Sequence, residues 1–180
     1  MHHSSYYRVK RFVEICLANK VNDKLSILDF GSQVIGADLS YKSLFNCPNW
    51  TYTGVDLCVG NNVDFVLKDK YNWSEIADNS VDVFVSGQVF EHIEFIWLTI
   101  AEVGRILKPG GLTCILAPSA VGMIHRFPLD CWRIQVDGWL ALAKHAKLKP
   151  IVCQTNWEAL PAWRDGSYIW DDCILIATKE

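Results

Sequence analysis

Two acids stand where a nucleoside could be held. Asp29 lies in the apolar run Leu25-Ser26-Ile27-Leu28-Asp29-Phe30, just ahead of Gly31, and Asp56 closes Thr51-Tyr52-Thr53-Gly54-Val55-Asp56. A short apolar strand that ends in an acid and a glycine lets the chain turn sharply, and it leaves backbone N–H groups open to a ligand. A carboxylate at the end of the next strand can accept both hydroxyl protons of a ribose. Each acid alone also reads as a turn former or helix cap. Together they fit a nucleoside-bearing cofactor, a nicotinamide dinucleotide included.

A second chemical region is His125-Arg126-Phe127-Pro128-Leu129-Asp130-Cys131-Trp132-Arg133. It follows a predicted strand, so it would lie over the carboxyl edge of a sheet, where substrate-facing loops are found. Arg126 and Arg133 can grip an anionic or hydroxylated substrate, Asp130 is polar beside them, and Phe127 and Trp132 can cover it. His125 can take a proton. The competing reading is a surface loop in which Arg126 and Asp130 pair locally and Trp132 buries its ring. His92 is the other candidate base, whereas His145 sits among lysines and reads as solvated. Asn156-Trp157 and Trp163-Arg164 add aromatic material in a polar connection.

The elements that must position these residues alternate between strand and helix patterns. Val9, Phe12, Val13, Cys16 and Leu17 share one helical face. Strands are expected at 25–30, 51–56, 63–67, 81–85 and 112–117, with a weak helix at 39–45. The stripe Ile93, Ile96, Ile100, Val103 and Leu107 predicts a helix from Glu91 to Leu107, stopped by Lys108-Pro109-Gly110-Gly111. Asp137 can cap a helix running to Lys147. Stretches 151–155 and 169–178 would pair antiparallel at the sheet edge. The pattern predicts one α/β domain over residues 1–180, a Rossmann-like, doubly wound, mainly parallel seven-stranded sheet with an antiparallel edge strand. Only Cys58 to Asn62 separate the second and third strands, although a parallel crossover normally needs a dozen or more residues. The expectation is that the intervening helix has been lost.

Composition narrows the function. The chain has 180 residues, 51% apolar and 21% charged, which is ordinary for a globular domain. A net charge of −3 lends no support to nucleic acid as a partner. Apolar runs such as 93–100 are too short for a bilayer, which needs roughly 20 residues, and residues 1–11 lack the apolar stretch of a signal peptide. The seven cysteines are scattered, without a C-x-x-C pair. That pattern argues against a disulfide framework and a zinc site and suits a reducing cytosol. No metal-ligand spacing is visible, so the chemistry is expected to be metal-independent.

A third block is more specific. Asn79-Ser80-Val81-Asp82-Val83-Phe84-Val85-Ser86-Gly87-Gln88, then Glu91-His92, then Leu107-Lys108-Pro109-Gly110-Gly111-Leu112 follow in order. This arrangement resembles class I S-adenosylmethionine-dependent methyltransferases of the type 11 group, from about residue 25 to residue 150. The resemblance implies S-adenosyl-L-methionine as cofactor and methyl transfer as activity; the charge favours a small-molecule or glycan-type acceptor, methylated on oxygen or nitrogen, over nucleic acid. It places Gly31 against the methionine part, with Ser32 and Gly36 in the same loop and Asp29 beneath it. It gives Asp56 the ribose, Leu57 the adenine face, and Asp69 an adenine contact. Ser86, Gly87 and Gln88 become the wall beside the sulfonium, mainly through backbone groups. Gln33 and Ile35 stand where the family usually has glycines, which departs from its pattern. Two alternatives remain at this level: an NAD-dependent Rossmann oxidoreductase, although G-x-G-x-x-G is missing, and a catalytically silent S-adenosylmethionine-binding module.

Overall fold

The computed structural model describes residues 3–36, 39–157 and 171–180. Helix α1 (His3–Cys16) leads into β1 (Leu25–Phe30) and β2 (Trp50–Asp56), followed by β3 (Phe65–Val66) and β4 (Val81–Gly87). Then come α2 (Ile96–Ile106), β5 (Leu107–Pro118), α3 (Val136–His145), β6 (Leu148–Thr155) and β7 (Asp172–Lys179). The sheet order is β3-β2-β1-β4-β5-β7-β6. Strands β1 to β5 pair in parallel, while β7 runs antiparallel to both β5 and β6. Chain order reverses between β1 and β4, the switch point at which open α/β sheets hold ligands.

Alternation along each strand builds two cores. Ile27, Val83, Cys114 and Ile174 point to one face, against Val9 and Phe12 of α1 and Tyr41. Their neighbours Leu28, Phe84, Ile115 and Leu175 point to the other, against Trp73, Ile100 of α2 and Trp139 of α3. Successive side chains of a strand face opposite ways, so a sheet covered on both sides needs apolar residues at nearly every position. That is why the central strands read as continuous apolar runs.

Several boundaries differ from the periodicity. Glu91 and His92 are not in a helix: Phe90–His92 is a 3-10 turn. Ile93 is buried and extended (φ −99°, ψ 120°), which delays the helix to Ile96. The weak helix is a 3-10 turn at Tyr41–Phe45. Gln135, not Asp137, precedes α3; Asp137 lies in its first turn, where a carboxylate favours the positive helix end. Strand β5 starts already at Leu107: Val81 pairs with Leu107 and Val83 with Leu112, so Lys108–Gly111 bulges out between them. Of the stretch expected as the last strand, Ile169 and Trp170 lie outside the described residues, as do Trp163 and Arg164.

The missing crossover helix has a geometric explanation. Strand β3 has only two residues, paired with the last two of β2 (Val55↔Phe65, Asp56↔Val66). The chain therefore has almost no strand length to travel back. Asn62 turns it with a positive φ of 68°. Asp64 ties the return to Gly54, its Oδ2 accepting from Gly54 N at 2.9 Å and its N donating to Gly54 O at 2.8 Å.

Candidate functional site

The carboxyl ends of β1, β2 and β4 meet at one edge because Asp29 lies between Gly54 and Val85 in register. Asp56 organises that edge. Its Oδ2 accepts from Gln33 N at 3.0 Å and its Oδ1 from Leu57 N at 2.7 Å. A carboxylate has about four lone-pair sites, so both oxygens keep capacity for further donors. Gly31 is left-handed (φ 81°), and a Cβ there would fall 2.1 Å from Val89 Cγ2, so only glycine fits. At Gly87 a Cβ would meet the Tyr41 hydroxyl at 2.0 Å, and that hydroxyl is fixed to Ser5 Oγ at 2.5 Å.

The other residues expected at this edge divide. Gln88 follows β4 with φ 62°, donates its N–H to Leu116 O at 3.0 Å, and leaves Oε1 buried without a hydrogen-bond partner. Leu57 is exposed and Gly36 opens to solvent. Ser32 and Ser86 turn their hydroxyls inward instead, to Asn62 O at 3.0 Å and Phe30 O at 2.9 Å. Asp69 is exposed and caps its own loop, accepting from Tyr71 N at 2.6 Å. The Gln33 side chain packs over Gly60 and donates to Val59 O at 3.1 Å. An edge with a half-buried carboxylate and an orphaned amide oxygen suits a ligand rich in hydroxyl and amino donors. A cleft of about 410 Å³ near Lys24, Asp82 and Lys108 lies at the opposite, amino end of the strands, away from where this architecture binds ligands.

Asp29 lies beneath the loop, buried, accepting from the Tyr52 hydroxyl at 2.5 Å. Burial pushes its carboxyl up to about 7; the Tyr52 bond opposes the shift and the charge of Asp56 adds to it.

The residues from Ser119 to Arg133 fold back onto the turn after β4. Cys131 N and Trp132 N both donate to Glu91 O, at 2.7 and 3.3 Å, and Trp132 Nε1 donates to Ile93 O at 2.8 Å. Asp130 does not pair with Arg126. It takes Arg133 in a bidentate contact at 2.5 and 2.7 Å, which holds its carboxyl down at about 2. Arg133 also donates to Gly122, Met123 and Trp132 carbonyls. The polar atoms of Arg133, expected to grip the acceptor, and of Asp130 beside it brace the loop. Arg126 and Phe127 are exposed, and Trp132 keeps about a third of its surface open (36%).

His92 and His125, separate in sequence, meet with ring centroids 4.9 Å apart. Both face Glu91, which is fully buried. The Glu91 carboxylate raises the His125 imidazole above its ordinary range against the effect of partial burial. Sequence reasoning took Glu91 only as part of a motif, because no spacing rule links it to His125. Equally unforeseen is a buried polar chain across α1 and β7. Arg8 reaches Asp172 at 3.1 Å, and Gln88 Nε2 donates to the other Asp172 oxygen at 2.9 Å.

The methyltransferase domain family matches residues 16–115. No curated protein sequence matches the chain. Among solved structures, the CurJ carbon methyltransferase superposes with a TM-score of 0.69 at 11% identity, covering 94% of this chain and 53% of that one. This chain thus spans about half of that protein's length. The 1,6-didemethyltoxoflavin-N1-methyltransferase of Burkholderia thailandensis, solved with 1,6-didemethyltoxoflavin and S-adenosylhomocysteine, gives 0.68 at 16% identity, covering 94% and 77%. The 4+2 cyclase SpnF gives 0.60 at 16% identity, covering 91% and 80%. At these identities the likeness is one of fold, and fold alone does not assign chemistry.

Proposed function

Because this chain belongs to the methyltransferase domain family, we propose that it transfers a methyl group from S-adenosylmethionine to a small-molecule or glycan-type acceptor, on oxygen or nitrogen. The observation that carries the reading is the shared edge formed by Gly31, Asp56 and Gly87–Gln88 at the switch point of the sheet. When bound, the cofactor supplies a methyl group activated by a sulfonium. Asp56 would receive the ribose hydroxyls with the lone pairs its two backbone contacts leave over. Leu57 would lie against the adenine, and the main chain at Gly31 and Gly87 against the methionine half, with the Gln88 amide oxygen as a further partner.

Alignment and exclusion of water are what such a displacement asks of the protein. The stretch 119–133 lies beyond the residues the family matches, and it is assigned here to the methyl acceptor. Arg126 would contact an anionic or hydroxylated group, while Phe127 and Trp132 cover it. A hydroxyl acceptor would lose its proton toward His125 and His92. The net charge of −3 supports a small acceptor over nucleic acid. All seven cysteines are free, which supports a reducing compartment such as the cytosol. No helix among the described residues is long and apolar enough to cross a membrane.

The test is a thermal-shift comparison of S-adenosylmethionine, S-adenosylhomocysteine and NAD. A ligand at about 100 times its Kd stabilises by roughly 2.7 kcal/mol, which raises Tm by about 5 to 10 °C for a domain of this size. The shift is expected with the first two and not with NAD. The reverse ranking overturns the reading in favour of an oxidoreductase. A shift without turnover on any acceptor would favour a silent binding module, the reading that the Gln33 side chain over Gly60 supports.

A further inference from the structure

Glu91 is fully buried, and neither of its carboxylate oxygens has a hydrogen-bond partner. A buried carboxylate left in that state is strongly unfavourable, and it favours a cation beside it. His92 Nε2 lies 3.6 Å and His125 Nε2 3.5 Å from Glu91 Oε1. Those separations exceed the roughly 2.7 to 2.9 Å of a charge-assisted N–H···O bond.

The far side of each ring explains what the near side offers. His92 Nδ1 is 2.6 Å from Leu129 O, and His125 Nδ1 is 3.2 Å from Met123 O. A carbonyl can only accept, so each Nδ1 carries the hydrogen. In a neutral ring the Nε2 lone pair then faces the carboxylate. Backbone carbonyls that fix the tautomer and aim the other nitrogen are the usual outer support of a metal-binding histidine. The nearby cation Arg133 makes its bidentate pair with Asp130 and acts on Glu91 only through its field.

We propose that Glu91, His92 and His125 form a binding site for one divalent first-row transition-metal ion. Their ligand atoms all lie within 4.8 Å of one another. Two ligands each 2.0 to 2.2 Å from a common ion stand roughly 2.8 to 3.6 Å apart in octahedral or tetrahedral geometry, which the two Glu91–histidine separations match. Two imidazoles and one carboxylate make a set that leaves coordination positions open. The site stands on its own geometry; its use rests on the function proposed above. An oxygen of the methyl acceptor taking an open position would be polarised there; with both histidines held as ligands, a bound hydroxyl would pass its proton to solvent water at lower pH and not to His125 or His92.

The experiment is a Co(II) and Zn(II) titration of the chelator-stripped full chain, without cofactor or acceptor. Co(II) is followed by its visible absorption and Zn(II) by calorimetry. One equivalent is expected, with a nitrogen- and oxygen-ligand spectrum that lacks a thiolate charge-transfer band. Glu91→Gln, His92→Ala and His125→Ala should each weaken binding by at least about 10 to 100-fold, and His145→Ala, on the exposed face of α3, should not. Because Glu91→Gln alters a buried position, His125→Ala, in a surface loop, decides if that variant fails to fold. No stoichiometric binding to the wild type, a thiolate spectrum, or binding that survives His125→Ala overturns the proposal. None of these results bears on the cofactor thermal shift, so the two readings fail separately.

Discussion

The Tyr52 hydroxyl donates to the buried Asp29 carboxylate at 2.5 Å, joining β2 to β1 directly beneath the loop that starts at Gly31. The groups that act on Asp29 come from more than one element: Tyr52 and Asp56 from β2, with buried Tyr41 from the core on the same face of the sheet in its field. The Asp29 carboxyl titrates near 7 in the folded protein and near 3.8 when exposed. Between those values the folded state holds a proton that the unfolded state has lost. Stability therefore falls as pH rises from about 4 to about 7, and this group adds no further change above that. Urea midpoints at pH 4.5 and 7.5 should show a steeper loss for the wild type than for Asp29→Asn. Equal losses would mean that Asp29 is ionised in the folded protein.

Asp56→Ala removes a charged hydrogen-bond acceptor, worth roughly 1.5 to 3 kcal/mol to the groups it meets. S-adenosylmethionine affinity should drop about tenfold or more by calorimetry. The variant should still fold, since the lost partners are two loop N–H groups that water can reach. Unchanged affinity would take Asp56 out of the cofactor site.

His125→Ala and Arg126→Ala should leave cofactor affinity near the wild-type value, because neither residue lies at the edge formed by β1, β2 and β4. Turnover by His125→Ala should fall by roughly 10² to 10⁴-fold if the acceptor must lose a proton. Loss of cofactor binding in a folded variant would move this loop into the cofactor site. Full activity in both would reduce it to a surface connection.

Arg8→Met leaves Asp172 buried, with Ser4 and Gln88 beside it and, among the described residues, no other cation paired with it. Removing one partner of a buried ion pair costs about 3 to 5 kcal/mol, which denaturant unfolding would register. Adding Asp172→Asn should recover part of the loss. A single-variant cost near zero would mean that the charge is compensated elsewhere.

Much of this molecule is legible in the order of its residues. Apolar runs at 25–30 and 81–85 mark buried strands because a sheet covered on both faces needs apolar side chains at nearly every position. Asp29, Asp56 and Gly87 fall at strand ends, and the direction of parallel strands then sends all three to one edge. The departures are equally physical. Periodicity placed Glu91 and His92 in a helix, since Ile93 and Ile96 share a helical face, but packing drew Ile93 into an extended turn. Local spacing suggested Arg126 with Asp130, whereas the folded loop gave Asp130 to Arg133, whose planar fork reaches both oxygens. The sequence by itself determined the central strands, the mainly parallel sheet they form and the family; the strand order and its switch point came from the fold. Only the tertiary structure brought Glu91, His92 and His125 together and ran Arg8, Asp172 and Gln88 through the interior, because such contacts depend on distances between segments that no pattern along the chain encodes.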